Sequence, residues 1–140
     1  MGSFNVLLVD DETDFLNVLI RRVKRRGIDV CSARNAAEAL ECLETEPVDV
    51  VVLDVKMPGM DGVEALKEIK RGYPSIEVIM LSGHASVDVA IEGMELGAFD
   101  YLMKPVDIDE LCYKLEDAFK RRLIRLAEGK GTGTEAGTEE

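Results

Sequence analysis

The sequence is short of the residues that carry soft-metal and redox chemistry. Its three cysteines, Cys31, Cys42 and Cys112, are scattered and odd in number, and His84 is the only histidine. With no CxxC pair and no Cys/His metal spacing, a structural zinc site is excluded, and the thiols read as small buried hydrophobes in a reducing cytoplasm. Long apolar runs are missing too. The first, Phe4 to Val9, is too short for a signal peptide and ends in acids, and nothing later is long enough to span a membrane. Met1-Gly2-Ser3 opens like a myristoylation site, but Val6 stands where that motif wants Ser or Thr. No GxGxxG or GxxxxGK[ST] follows any strand pattern, which argues against a nucleotide-binding domain. Positive charge is in deficit, with 17 Lys and Arg against 28 Asp and Glu and a net charge of −11. Such a chain is repelled by nucleic-acid phosphates and by anionic membranes, so neither is expected as a main partner.

What is present is a regular alternation of strand and helix patterns. The chain has 140 residues, 46% of them hydrophobic and 32% charged, which suits one soluble domain. At that length folding buries roughly two-thirds of the surface of the unfolded chain. Asn5–Val9 is a continuous apolar run and reads as a buried strand. The acidic step Asp10-Asp11-Glu12 then suits the start of a helix through Phe15, Leu16, Leu19, Ile20 and Val23, stopped by Gly27. Ile28–Ser32 reads as a weaker strand, and Asn35 as the cap of a helix carrying Ala36, Ala39, Leu40 and Leu43. Val48–Leu53 has the composition of a strand covered on both faces. Pro58-Gly59 turns the chain, Asp61 caps a helix over Val63–Lys70, and Gly72 and Pro74 close it. Ile76–Leu81 is the fourth strand, Ser86–Leu96 the fourth helix, Phe99–Met103 the last strand and Asp107–Leu126 the last helix. Residues 1–126 thus make the domain. Residues 127–140 are Gly, Thr and Glu apart from Ala127, Lys130 and Ala136, and are predicted to be a disordered tail.

Five such alternations specify an α/β fold, a (βα)5 doubly wound parallel sheet with helices on both faces. In such sheets the working site lies at the carboxyl ends of the strands. There the sequence delivers Asp10 and Asp11 from strand one, Asp54 from strand three, Ser82 from strand four and Lys104 from strand five. Each alone has an ordinary explanation, since acids cap helices and polar residues end strands. Together they bring three carboxylates, a hydroxyl and an ammonium to one edge. Carboxylates about 4 Å apart repel by roughly 4 kcal/mol per pair at an effective dielectric near 20. A hard cation relieves that repulsion, and without a Cys or His set Mg²⁺ is the expected ion. Such a site supports in-line attack of a carboxylate on phosphorus, with Mg²⁺ and Lys104 neutralising the equatorial oxygens.

Four ordered motifs sit at these strand ends: Leu7-Leu8-Val9-Asp10-Asp11-Glu12, Val52-Leu53-Asp54-Val55-Lys56-Met57-Pro58-Gly59-Met60-Asp61-Gly62, Leu81-Ser82-Gly83-His84, and Gly97-Ala98-Phe99-Asp100-Tyr101-Leu102-Met103-Lys104-Pro105. Over roughly residues 4 to 122 the chain resembles the CheY-like receiver domains of two-component response regulators. The resemblance implies the flavodoxin-like strand order 2-1-3-4-5 and makes Asp54 the phosphoacceptor. It implies that Asp11 and Asp54 bind Mg²⁺ directly with the backbone carbonyl of Lys56, and that Asp10 acts largely through water. It further implies that Ser82 reaches toward the phosphoryl group, that Lys104 pairs with it, and that the Lys104–Pro105 bond is cis. A Ser82/Tyr101 switch is implied as well, in which Tyr101 swings into the space that Ser82 vacates and rearranges the face from the fourth helix to the fifth. Ser82 stands where Thr is frequent in the family. Lys56 and His84 occupy places that flank the phosphoryl group and influence water access. Gly93 reads in two ways, as a soft point in the fourth helix or as a residue that permits close packing.

The implied partners are a histidine kinase or histidine phosphotransfer protein and a separate downstream protein. A homodimer through the face from the fourth to the fifth helix is compatible with the same reading. The cluster Arg21, Arg22, Lys24, Arg25 and Arg26 suits either a solvated helix end or the kinase contact. The basic end of the last helix is followed by no helix-turn-helix, so direct DNA binding is not expected. The stretch Leu81 to Pro105 looks like receivers attached to sigma-54-dependent activators. The chain as it stands carries no output domain and reads as a stand-alone cytoplasmic regulator or phosphorelay intermediate. The reading is not that of an enzyme, beyond slow self-dephosphorylation. A haloacid-dehalogenase-type hydrolase wants a second Asp where this chain has Lys56. Interaction modules on the same fold usually lack part of the set Asp10, Asp11, Asp54, Ser82 and Lys104.

Overall fold

The computed structural model describes residues 3–55, 61–83 and 87–132, with side chains as far as residue 129. Strand β1 (Asn5–Val9) leads into α1 (Thr13–Lys24), β2 (Asp29–Ala33) into α2 (Ala36–Thr45), and β3 (Val50–Asp54) into α3 (Gly62–Gly72). Strand β4 (Glu77–Ser82), α4 (Val87–Glu95), β5 (Asp100–Met103) and α5 (Ile108–Thr132) complete the chain. All five strands are parallel, in the order β2-β1-β3-β4-β5. The Val50–Asp54 and Glu77–Ser82 strands are buried at every position, as their runs of apolar residues require in a sheet covered on both faces.

The period of two along each strand divides the core into two layers. Leu7, Val9, Val51, Leu53, Val78 and Met80 face α2 and α3 through Ala39, Leu43, Leu66 and Ile69. Val6, Leu8, Val50, Val52, Ile79 and Leu81 face α1 and α5 through Leu16, Leu19, Leu111 and Leu115. Helix starts follow the expected chemistry. Asn35 Oδ1 accepts from Glu38 N at 2.9 Å, and Asp61 Oδ1 accepts from Glu64 N at 2.9 Å. Gly27 and Gly97 have φ of 83° and 105°, the left-handed conformation that glycine adopts without a Cβ penalty.

Gly93 is a packing residue. A Cβ built there would lie 2.2 Å from Met80 Sδ, so its bare backbone lets α4 settle on β4. The end of α5 departs from expectation. The helix runs on to Thr132, where the composition predicted a disordered tail from residue 127. Its last turns grow from an anchored stretch at the N-terminal edge of the sheet. Arg122 Nε donates to Asp49 Oδ1 at 2.9 Å, and Arg125 Nε donates to Glu77 Oε2 at 2.5 Å. Extending an anchored helix adds one hydrogen bond per residue fixed, which offsets the roughly 1 kcal/mol that each interior glycine costs. Residues 133–140 lie outside the described part.

Candidate functional site

The register of the sheet brings the polar strand ends together. Asp10 follows β1, Asp54 ends β3, Ser82 ends β4, and Lys104 follows β5. Asp10, Asp54 and Ser82 are buried, while Asp11 is exposed at the mouth. One carboxylate oxygen from each of Asp10, Asp11 and Asp54 lies within 4.8 Å of the others. Asp10 Oδ1 accepts from Glu12 N at 2.9 Å, which fixes the turn into α1. Its other oxygen, Oδ2, is buried with no donor in hydrogen-bond geometry, although Lys104 Nζ stands 2.9 Å away. An all-oxygen set with a buried, unsaturated carboxylate suits a hard divalent cation such as Mg²⁺, so the residues present fit that ion.

Lys104 is placed by its own backbone, whose N–H donates to Ser82 O at 2.8 Å, and the Lys104–Pro105 bond is cis. The ammonium lies over the Phe15 ring, 4.4 Å from its centroid. It contacts three carboxylates: Glu12 Oε1 at 2.6 Å, Asp10 Oδ2 at 2.9 Å and Asp54 Oδ2 at 3.9 Å. Burial works against its charge. The contacts with Glu12 and Asp10 and the fields of Asp10 and Asp54 outweigh that, and its pKa is raised above the ordinary lysine value. Glu12 is lowered in return, chiefly by its hydrogen bond with Lys104 and then by the ammonium's charge.

The structure therefore gathers Asp10, Asp11, Asp54, Ser82 and Lys104. Lys56 and His84, expected beside them, lie outside the described residues. Tyr101 is set back from the pocket. It pairs in register with Met80, is partly buried, and packs on the core layer of α2 and α3. Met80 and Ser82 are two residues apart on β4 and so share a face, which puts Ser82, Met80 and Tyr101 on one side of the sheet. Among the described residues Glu12 and Phe15 also surround Lys104; the sequence offered Phe15 only as part of a helix, and Glu12 as a helix start and the end of the first motif, with no role at the site for either. The one hint was a third consecutive acid after Asp10 and Asp11.

A buried carboxylate beside an ammonium, within a carboxylate trio that could hold a cation, has the parts of a phosphoryl-transfer site. Comparison with known proteins points the same way. The family model of the response regulator receiver domain matches residues 6–116. The transcriptional regulatory protein ZraR of Klebsiella oxytoca is 39% identical over 132 residues, covering 94% of this chain and 29% of that protein. The DNA-binding transcriptional regulator NtrC of Escherichia coli K12 is 42% identical over 113 residues, covering 81% of this chain and 24% of that one. The chain thus spans about a quarter of the length of the curated relatives it matches. Among solved structures, a CheY-like receiver domain protein from Methanospirillum hungatei aligns with a TM-score of 0.83 at 29% identity, covering 89% of this chain and 99% of that one. A receiver domain protein from Clostridium thermocellum aligns at 0.82 and 36% identity, over 86% and 98% of the two chains.

Proposed function

The chain belongs to the response regulator receiver domain family, and on that footing we propose that Asp54 accepts a phosphoryl group and that Ser82 and Tyr101 relay the change. The observation that carries the reading is the convergence of Asp10, Asp11 and Asp54 within 4.8 Å, with the Lys104 ammonium among them. A carboxylate oxygen of Asp54 attacks phosphorus in line. The bond from phosphorus to the donor breaks, and the electron pair leaves with the donor group. Asp11, Asp54 and the carbonyl of Lys56 would hold Mg²⁺, with Asp10 acting through water, and the ion would supply charge neutralisation at the phosphoryl oxygens. Lys104 turns from its carboxylate partners toward the new dianion, and Ser82 hydrogen-bonds to it. The result is an acyl phosphate rather than turnover of a substrate, so the role is that of a phosphoacceptor switch.

Ser82 and Tyr101 share a face of the sheet with Met80, and Met80 carries α4 through Gly93. A shift of Ser82 is thereby coupled to the packing under α4 and β5. Two packings a few kcal/mol apart suffice for such a switch. The exposed side chains Val87, Ile91, Met94, Met103 and Tyr113 give that face the apolar character of a contact surface for a downstream protein or a second copy. The exposed Arg21, Arg22, Lys24 and Arg25 at the end of α1 suit a histidine kinase or histidine phosphotransfer protein as donor. Among the described residues no helix is long and apolar enough to cross a membrane. DNA binding is said of NtrC, of which this chain spans about a quarter, and forms no part of the reading.

The test is intact mass after incubation with a small phosphodonor and Mg²⁺, for wild type and Asp54→Ala. One labile phosphoryl group is expected on wild type, dependent on Mg²⁺ and absent from the variant. In Ser82→Ala the addition is expected to persist while the amide NMR signals around Tyr101 stay at their unphosphorylated positions. No addition to folded, Mg²⁺-binding wild type would defeat the reading.

A further inference from the structure

Lys104 does not rest against the proposed acceptor. Its ammonium is 2.6 Å from Glu12 Oε1 and 2.9 Å from Asp10 Oδ2, against 3.9 Å from Asp54 Oδ2. Glu12 occupies the N-cap position of α1, yet its side chain makes no capping hydrogen bond. It reaches across to the residue after β5 instead, 92 positions along the chain. The backbone on both sides is fixed, since Glu12 N donates to Asp10 Oδ1 and Lys104 N donates to Ser82 O. Only the two long side chains have freedom. The Glu12 side chain is 64% exposed and that of Lys104 is 13% exposed, so the carboxylate can swing out to water without disturbing the core.

We propose that Glu12 is a positioning residue that holds Lys104 back from Asp54 in the unphosphorylated protein and so restrains phosphoryl uptake. This rests on the reading of Asp54 as acceptor. An ammonium donates three hydrogen bonds at most, and Glu12 takes the shortest contact it makes to any carboxylate here. A phosphoryl group on Asp54 competes with that partner for Lys104, whose ammonium is drawn toward Glu12 and Asp10 and away from Asp54. Asp10 makes a similar contact, but it is buried, fixed through Glu12 N, and belongs to the cation set. Glu12 is the member of the cluster whose removal costs the site neither its carboxylate trio nor its fold.

The experiment uses the full chain as wild type, Glu12→Gln, Lys104→Met and the double variant, with Asp54→Ala as the control for the acceptor. Beryllium fluoride with Mg²⁺ stands in for the phosphoryl group, its affinity read by amide NMR, and uptake from a small phosphodonor is read by intact mass. Glu12→Gln is expected to bind beryllium fluoride about threefold to tenfold more tightly and to take up phosphoryl faster by a similar factor. Its Mg²⁺ affinity should stay within about twofold of wild type, and the gain should fall by at least half in the Lys104→Met background. A gain that survives undiminished without Lys104 would mean bare charge repulsion and overturn the positioning role. A loss of Mg²⁺ affinity of about tenfold would make Glu12 part of the cation set and overturn it equally. If wild type takes up phosphoryl and Glu12→Gln only matches it, the restraint fails while the Asp54 reading stands. If folded wild type binds no beryllium fluoride and takes up no phosphoryl group, the Asp54 reading itself fails.

Discussion

At the scale of single residues, Gly62 decides how Asp54 is presented. Val55 N donates to Leu81 O at 3.2 Å, and Gly62 N donates to Val55 O at 3.0 Å, so the residue after β3 is held against the start of α3. A Cβ at Gly62 would lie 2.3 Å from Val55 Cα and 2.8 Å from Asp54 O. Both are backbone atoms that cannot rotate away. Gly62→Ala should therefore move the peptide of the proposed acceptor, Asp54, at a cost of about 1–3 kcal/mol in urea unfolding, and, on that proposal, should slow phosphoryl uptake in the fraction that stays folded. Unchanged stability together with uptake within twofold of wild type would show that the close approach of Gly62 to Val55 is relieved at little cost. The sequence shows Asp61 as a cap and Asp54 as a strand-end acid, but the demand on Gly62 comes from a peptide seven residues earlier and appears only once the chain is folded. Glu12 was hidden in the same way. Its partner is the residue after the last strand, and no local pattern connects the two.

Elements were more legible than their neighbours in space. Periodicity located all ten, and Asn35 and Asp61 cap the helices they were expected to cap, because caps and apolar spacing are local chemistry. Strand starts were read one or two residues early at Ile28, Val48, Ile76 and Phe99, where apolar residues lie just outside the ladder. The two readings of Gly93 were inseparable until Met80 was seen beneath it. The end of α5 was misjudged because its stability comes from charges on other elements. Glu77 is fully buried and is held by Arg125 at 2.5 Å and by Lys70 at 3.9 Å, while Lys70 Nζ also donates to Pro74 O and Ile76 O. Arg125→Ala leaves that carboxylate with only the more distant cation. We expect a loss of about 1–3 kcal/mol, short of the full cost of breaking a buried pair because Lys70 remains and Arg125 is partly exposed. Hydrogen exchange should quicken in α5 beyond Arg122 and little elsewhere. Uniform quickening across the sheet would instead mean that the contact supports the whole fold and not the helix end.

At the scale of the molecule the chemistry is divided between the two ends of the sheet, and the thiols lie between them. Cys31 and Cys42 pack with the layer of α2 and α3, and Cys112 with that of α1 and α5. Burial is the first cause in raising all three, and Cys31 is pushed up to about 11 from 9.0, with the field of Cys42 next. At neutral pH they are protonated and poor nucleophiles; Cys112 is buried as the sequence led us to expect, while Cys31 and Cys42 are only partly so. The shift sets a sign for stability against pH. Between 9.0 and about 11 the unfolded chain gives up the Cys31 proton while the folded chain keeps it, so stability falls as pH rises through that window. Lys70 opposes this. Burial lowers its pKa below 10.5, so the folded protein sheds that proton first and gains as pH rises. The difference between wild type and Cys31→Ala cancels Lys70 and leaves the thiol together with its influence on Cys42. Between pH 8 and pH 10 the urea midpoint of wild type should lose ground relative to that of the variant. That relative loss should be small near pH 8, where the thiol is protonated in both states, and should steepen above pH 9, where only the folded state keeps the proton. Parallel curves would mean that the half-buried Cys31 sulfur is hydrated enough to titrate as it does in the unfolded chain.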